Sequence, residues 1–153
     1  MIRLVRAQPE HIPPIAARLR PADAAAISLL GDGTPEAALL NVLERSPMAG
    51  AGILPDGRPG GIWGAIPNSL VGATGAYAWV LIADMPARPA HYTSRHAKLF
   101  LNEAQDLYGV LWTAMAADRE ASDVRWVEWL GFRPADDAGV MVSGTWLRTY
   151  IRR

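Results

Sequence analysis

The sequence predicts a single mixed α/β domain whose central β-sheet is covered by helices on both faces. Segments with apolar residues at helical spacing alternate along the chain with short apolar runs that are typical of strands. Two of these runs, residues 76–83 and 110–116, are apolar on both of their faces, as expected of strands that are covered on both sides. The 153 residues suit one hydrophobic core, and the chain has no internal repeat. One domain is therefore predicted for residues 1–153.

The amino-terminal part of the chain is predicted to hold one strand followed by helices. Residues 2–7 have the alternation that is typical of a strand. A helix is predicted to begin at Pro9, because proline suits the first helical turn, where no amide donor is needed. Pro21 is predicted to split this helix, and the glycines of residues 31–33 are predicted to end its second part. The next helix begins after Thr34, whose hydroxyl can cap it.

The middle of the chain is predicted to form three consecutive strands. Residues 48–54 and 61–66 flank an Asp56-Gly57 pair, and Asp-Gly favours the tight reversal of a hairpin. A glycine-containing link at residues 67–75 then leads to residues 76–83. This run is the predicted central strand of the sheet, because neither of its faces is polar.

The last part of the chain is predicted to alternate helix, strand, helix and strand. Its clearest helix ends at Gly109, and apolar residues recur in it every three or four positions: Ala97, Phe100, Leu101, Ala104, Leu107 and Tyr108. Residues 110–116 are predicted to form the next strand, and residues 118–130 a helix closed by Gly131. The final strand is predicted at residues 140–150.

Charge and composition exclude several classes of protein. The formal net charge is zero, so the sequence lacks the basic excess that binds nucleic-acid backbones, and nucleic acid is not an expected partner. The absence of cysteine excludes a disulfide scaffold and a thiolate zinc site. The three histidines do not have the spacing of a metal site, so no metal is expected. Neither a signal peptide nor a membrane-spanning run is recognisable, which predicts a cytoplasmic protein without membrane contact.

A short motif near the carboxyl terminus resembles a known superfamily. Residues 125–132 read Arg-Trp-Val-Glu-Trp-Leu-Gly-Phe, which resembles the closing helix of the GNAT (N-acetyltransferase-like) superfamily, commonly ended by Leu-Gly-Phe. The predicted order of strands and helices is also that of the GNAT fold. The resemblance implies a mixed, mostly antiparallel central sheet flanked by about four helices.

A longer and more scattered pattern resembles a phage-encoded branch of this superfamily. It comprises residues 18–23, the helix from Thr34, the strand from Trp79 and the motif at residues 125–132. Relatives in that branch include small internal virion proteins of short-tailed phages. The resemblance implies either a cytoplasmic protein of the host cell or a virion-associated one, with a phage or host protein, or a second copy of the chain, as partner.

The resemblance to GNAT acetyltransferases implies acetyl-CoA or a related acyl-CoA as co-substrate. In that superfamily the acyl-CoA lies where two strands splay apart, and its pyrophosphate lies against the start of the following helix. The matching segment here, residues 85–96, has no glycine, and it ends in Thr93, Ser94, Arg95 and His96. Arg95 and His96 are predicted in the first turn, where positive charge opposes the helix dipole unless an anion binds.

Each of these cofactor-binding candidates has a structural alternative. Thr93 or Ser94 can instead cap the helix, and Arg95 can be a solvated surface residue. Ser122 lies near the position of a CoA-contacting asparagine in many relatives, but it can also be a solvent-facing hydroxyl on the last helix.

The expected chemistry is attack of an amine on the thioester, aided by a base and often by a tyrosine near the leaving thiolate. The position of that tyrosine holds Val127. Asp84, just after the central strand, is the candidate base, while His91 and Tyr92 on the loop that follows are candidates for base or acid. Asp84 can alternatively be a turn or cap residue, and His91 a solvated one. The resemblance thus implies an open cleft beside residues 84–96.

Two hypotheses for the function follow. The first is an N-acyltransferase that moves an acyl group from acyl-CoA to an amine. The second is a noncatalytic virion or assembly protein that retains the GNAT fold and binds another protein through Trp126 and Trp129. These tryptophans can alternatively line a substrate cleft or pack in the core.

Overall fold

The computed structural model describes residues 1–29, 33–68, 74–136 and 139–153. These residues form five α-helices and eight strands, preceded in the first helical region by a single 3₁₀ turn at Pro9–His11. The helices are α1 (Ile12–Ala16), α2 (Pro21–Ser28), α3 (Pro35–Glu44), α4 (Ala87–Tyr108) and α5 (Ala121–Trp129). The strands are β1 (Arg3–Arg6), β2 (Met48–Ile53), β3 (Pro59–Pro67), β4 (Ala76–Ile82), β5 (Leu111–Ala116), β6 (Arg133–Pro134), β7 (Val140–Val142) and β8 (Thr145–Arg152).

All the strands belong to one mixed sheet with the order β1-β2-β3-β4-β5-β8-β6, and β7 pairs with β8. Every pairing is antiparallel except that between β4 and β5. The predicted mixed, mostly antiparallel sheet is therefore confirmed. The apolar run after residue 75 forms β4 in the middle of this order, as its two apolar faces predicted.

Local sequence signals account for most of the element boundaries. α2 begins at Pro21, where the break was predicted, and the Thr34 hydroxyl accepts a hydrogen bond from the Ala37 amide at the start of α3. The Asp56-Gly57 pair forms the predicted reversal between β2 and β3, with Gly57 at φ 87°. The predicted helix end at residues 31–33 and the link at 67–75 lie largely outside the described residues.

Two predictions for the carboxyl-terminal part are wrong in detail. The single final strand is a hairpin of β7 and β8, because Ser143 and Gly144 both take positive φ angles, 48° and 79°, as a tight hairpin turn requires. The last helix begins at Ala121 rather than at Asp118, with Glu120 as its amino-terminal cap residue. The glycines predicted to end the last two helices, Gly109 and Gly131, have φ angles of 84° and 106°.

Two hydrophobic cores lie on opposite faces of the sheet. The first packs α1, α2 and α3 against one face, with Ile62 and Trp79 pointing into it. The second packs α4 and α5 against the other face, with Ala78 and Met115 pointing into it. Adjacent β4 residues such as Ala78 and Trp79 enter different cores because successive side chains of a strand alternate in direction. Within the described residues, no helix has both the length and the apolar character needed to cross a membrane.

We expect Leu101→Ala to lower the free energy of unfolding by about 2–5 kcal/mol, because it empties a fully buried site in the second core. Leu99→Ala on the same helix is the matched control, because Leu99 is 55% exposed. Urea unfolding of both variants measures the difference. Equal destabilisation by the two substitutions would contradict the packing of α4 against the sheet.

Candidate active site

The two central strands separate soon after they begin to pair. β4 and β5 are joined only at Ala76 with Leu111 and at Tyr77 with Trp112. Beyond these pairs β4 continues along β3, while β5 continues along β8. Each strand is therefore held by its outer neighbour, and among the described residues the facing backbone edges beyond Tyr77 have no strand partner. We call this opening the β4–β5 gap.

A cavity of about 520 Å³ occupies the β4–β5 gap. It passes between the two halves of the sheet, so that side chains of both hydrophobic cores line it. Most of these side chains are apolar, for example Ile27, Val42, Leu81, Met115, Val127 and Phe132. The cavity has the size and apolar character of a site for a small organic ligand.

The indole N–H groups of two tryptophans in the cavity wall are bonded to serine hydroxyls. Trp79 Nε1 donates to Ser46 Oγ at 2.8 Å, and Trp126 Nε1 donates to Ser94 Oγ at 3.1 Å. Because these donors are already satisfied, the two tryptophans offer the cavity mainly their ring carbons.

Tyr77 and Trp112 mark the narrow end of the gap. Their ring centroids lie 4.7 Å apart, and both residues line the cavity together with Thr113. Burial raises the pKa of the Tyr77 phenol, although the neighbouring Thr113 hydroxyl partly opposes this effect. Tyr77 therefore keeps its proton at neutral pH and is a hydrogen-bond donor in the cavity wall.

Four charged side chains join α2 to the start of α5 at the side of the cavity. Arg20 bonds Asp23 at 2.9 Å and Asp123 at 3.0 Å, and Arg119 bonds the same two carboxylates at 2.9 Å each. We call these residues the charge ring. Three of them, Asp23, Arg119 and Asp123, line the cavity.

The charge ring is largely withdrawn from water. The side chains of Asp23, Arg119 and Asp123 are between 9% and 12% exposed, whereas that of Arg20 is 45% exposed. Burial alone would raise the pKa of Asp123, but hydrogen bonds from Arg119 and Arg20 outweigh it and lower that pKa below its ordinary value. The Asp123 carboxylate is therefore ionised at neutral pH and pairs with both guanidinium groups.

The structure places the three predicted catalytic residues away from the cavity wall. Asp84 is exposed, and its backbone N–H donates to the carbonyl of Arg18 at 2.7 Å. His91 and Tyr92 were predicted on a loop, but this is wrong because α4 already begins at Ala87. Both are exposed, and the His91 ring contacts the rings of Tyr92 and Trp129 at centroid distances of 6.2 and 5.7 Å.

The predicted position of Arg95 and His96 in the first helical turn is also wrong. Because α4 starts at Ala87, these two residues lie in its third turn, beyond the positive end of the helix dipole. Arg95 is exposed, whereas the buried Nδ1 atom of His96 has no hydrogen-bond partner among the described residues. The helix dipole therefore does not support the anion site that was predicted at Arg95 and His96.

Thr93 and Ser94 do not cap α4, because they lie inside it. The Thr93 hydroxyl is buried and donates to the carbonyl of Pro89, while Ser94 accepts the bond from Trp126. Ser122 is exposed in the first turn of α5. None of the eight predicted site residues is among the described residues that line the cavity, so the predicted cleft beside residues 84–96 differs from the cavity at the β4–β5 gap. Their catalytic and cofactor-binding roles stay predictions.

The actual start of α4 offers few backbone donors to an anion. Pro86 precedes the helix and no side chain of the described residues caps it, so within that part of the chain the amides of Ala87 and Arg88 are available to a ligand. The third residue, Pro89, has no N–H, and the Ala90 amide is already bonded to the Pro86 carbonyl. The helix start therefore supplies two amides and the nearby Arg88 side chain.

The structure separates the roles of the two tryptophans in the closing helix. Trp126 is half-buried, packs against the second core and lines the cavity. Core packing and lining of a cleft were two of the alternatives that the sequence left open for this residue. Trp129 is 38% exposed and contacts the His91 ring in a tilted arrangement, with the Lys98 ammonium 4.6 Å from the indole ring centroid. Within the described residues, no group of three histidine or acidic side chains could hold a metal ion.

Apart from Trp126, sequence reasoning missed the residues that line the gap. Tyr77 is the only hydroxyl-bearing residue in the apolar run of β4, and this signal could have singled it out. The spacing of Arg20 with Asp23 and of Arg119 with Asp123 also indicates two local ion pairs. That the two pairs close into one ring, across 96 and 103 residues of chain, has no local signal.

Comparison with known proteins identifies the architecture. No protein-family model and no curated protein sequence matches the chain. Among solved structures, Ard1 from Thermoplasma volcanium superposes with a TM-score of 0.70 at 14% identity, covering 99% of this chain and 96% of its own. The ribosomal-protein-alanine N-acetyltransferase from Brucella melitensis superposes with a TM-score of 0.67 at 16% identity, and the match covers 98% of each chain.

An acetyltransferase from Bacillus subtilis, solved in complex with CoA, superposes with a TM-score of 0.61 at 9% identity. The superposition covers 99% of this chain and 96% of the Bacillus subtilis protein. Identities this low show the fold and not the activity. Together with the strand order and the β4–β5 gap, these similarities show that the chain has the fold of the GNAT-family acetyltransferases.

Proposed function

We propose that this protein is an acyl-CoA-dependent N-acyltransferase that uses the β4–β5 gap as its active site. The observation that carries the proposal is the separation of two parallel central strands around a cavity of about 520 Å³. A neighbour of the same fold is solved in complex with CoA, which supports CoA as the carrier of the acyl group.

The chain offers suitable groups for the three parts of such a substrate. The free backbone edges of β4 and β5 can bond the amides of an extended pantetheine arm, as an added strand would. The Ala87 and Arg88 amides, with the Arg88 guanidinium, can bind phosphate groups at the start of α4. The cavity then receives the acyl group. Because Pro89 has no N–H, the start of α4 offers fewer hydrogen-bond donors to a phosphate. The match to the CoA phosphates is therefore weaker than the match of the gap to the pantetheine arm.

Tyr77 is the residue that we propose as proton donor. Acyl transfer requires the amine nitrogen to attack the thioester carbonyl, the carbon–sulfur bond to break, and the departing sulfur to take a proton. The Tyr77 phenol keeps its proton at neutral pH, and Tyr77 lines the cavity beside Thr113. It can donate that proton to sulfur and regain the one that the amine loses. Asp84, His91 and Tyr92 stay as predicted alternatives on the neighbouring segment.

The noncatalytic alternative is supported by the exposed ring of Trp129, since exposed tryptophans are enriched at protein interfaces. In that case the phage-type resemblance would place the protein in a virion or an assembly complex. Its absence from purified particles and from every phage protein complex would count decisively against this alternative.

We expect acetyl-CoA to bind the purified protein in a calorimetric titration, and Ala114→Trp to weaken binding about 10-fold or more by filling the gap. Ala37→Trp is the matched control because Ala37 is exposed on α3, away from the cavity. Absence of binding of free CoA, of acetyl-CoA and of longer acyl-CoA thioesters to the unmodified protein at about 1 mM would overturn the proposal. Equal weakening by both variants would place the binding site elsewhere.

A further inference from the structure

The cavity at the β4–β5 gap extends well beyond the point where the strands part. On one side of the sheet it reaches Ile27 of α2 and Val42 of α3. On the other side it reaches Val127 and Leu130 of α5 and its following turn. An acetyl group ends in a single methyl and would leave most of these apolar walls without contact.

Most polar side chains of these walls are already bonded to other protein groups, while Arg45, which also lines the cavity, is exposed. The indole N–H groups of Trp79 and Trp126 are bonded to serines. Asp23, Arg119 and Asp123 satisfy each other within the charge ring. A ligand part that lies here gains little from hydrogen bonds and gains most from burying hydrocarbon.

The walls favour a neutral chain over the body of a charged amine. Of the described residues that line the cavity, Asp23 and Asp123 are the only carboxylates, and each already bonds two arginines. An ammonium group would therefore find no free counter-charge, whereas an acyl chain needs none.

We propose that the cavity takes an acyl chain of several carbons, so that the preferred co-substrate is a medium-chain acyl-CoA rather than acetyl-CoA. This inference rests on the proposed acyl-CoA-dependent transfer and narrows its substrate class. The chain would lie between the two cores, in contact with the ring carbons of Trp79 and Trp126.

Calorimetric titration with free CoA and with acetyl-, butyryl-, hexanoyl- and octanoyl-CoA tests the proposal. We expect Kd to fall with each added methylene by up to about fourfold, until the cavity is filled. A Kd that is constant or rises along the series overturns the inference but leaves the proposed function intact. Failure of free CoA and of every thioester to bind overturns the proposed function, and this inference with it.

A pair of alanines on α2 supplies a matched test of where the chain lies. Ala26 lines the cavity, whereas its neighbour Ala25 is exposed. Ala26→Phe should weaken octanoyl-CoA binding about 10-fold or more while changing the affinity for acetyl-CoA less than about twofold. Ala25→Phe should change neither affinity.

Equal effects of Ala26→Phe on both thioesters would contradict a chain that reaches α2. If Ala26→Phe fails to fold, the smaller Ala26→Leu substitution makes the same comparison, and the unfolding midpoint of each variant reports whether it is folded. The chain-length series on the unmodified protein does not depend on any variant.

Discussion

Replacing Asp123 with alanine is expected to lower the free energy of unfolding by about 2–3 kcal/mol, because it removes a largely buried carboxylate from the charge ring. Arg119 loses the partner of its Nε, and its side chain is only 12% exposed. Because Asp23 still bonds both arginines, the loss of stability should be smaller than that caused by breaking an isolated buried ion pair. Urea unfolding at neutral pH measures the effect.

Asp56→Ala is the control for this variant. Asp56 forms an ion pair with Arg58 at 2.7 Å and accepts a hydrogen bond from the Arg58 backbone N–H in the turn, but both side chains are about half exposed. The substitution should therefore lower the free energy of unfolding much less than Asp123→Ala does. Similar effects of the two substitutions would show that the charge ring is no stronger than a surface ion pair.

The same ring predicts a dependence of stability on pH. The pKa of Asp123 is lowered in the folded protein from an ordinary value of 3.8. The ionised Asp123 carboxylate therefore contributes fully to stability at pH values above 3.8. This contribution to stability is lost as the pH falls through the lowered pKa that Asp123 has in the folded protein. The stability difference between the unmodified protein and Asp123→Ala should therefore be constant near neutrality and narrow below about pH 4. A difference that stays constant in acid would contradict an ionised, paired Asp123.

Removing the Tyr77 hydroxyl is expected to have the largest effect on activity. Tyr77→Phe should lower kcat for acyl transfer by about 100-fold, because the departing sulfur would lose its proton donor. The phenyl ring keeps the contact with Trp112, so KM and the affinity for acyl-CoA should change little. Release of free CoA in the presence of amine acceptors measures the rate, and a pH profile would show whether the acidic group has gone.

Tyr92→Phe is the matched control, and it also tests the site predicted from sequence. Tyr92 is 43% exposed on α4, and it is not among the residues that line the cavity. Full activity of Tyr92→Phe beside an impaired Tyr77→Phe would support the cavity as the active site. The reverse result would move the reaction to the segment from Asp84 to His96 and refute the role of Tyr77.

Local sequence signals predicted the elements whose boundaries depend on a few neighbouring residues. Gly57 in the β2–β3 turn, Thr34 as a cap and Gly109 at a helix end each act within about one turn of chain. The start of α4 was missed because Thr93 and Ser94 have the residue types of a cap. The helix in fact accommodates Pro89 in its first turn, where no intrahelical amide bond is required.

The sequence by itself determined the fold class, because hydrophobic periodicity and turn residues specify which segments are strands and which are helices. Only the tertiary structure decided where the candidate site lies. The β4–β5 gap arises because β3 and β8 hold the two strands apart, and the charge ring joins residues about 100 positions apart in the chain. Such contacts depend on distant partners that no local sequence pattern specifies. The cavity, and the position of Tyr77 in its wall, were therefore recognisable only in the assembled sheet.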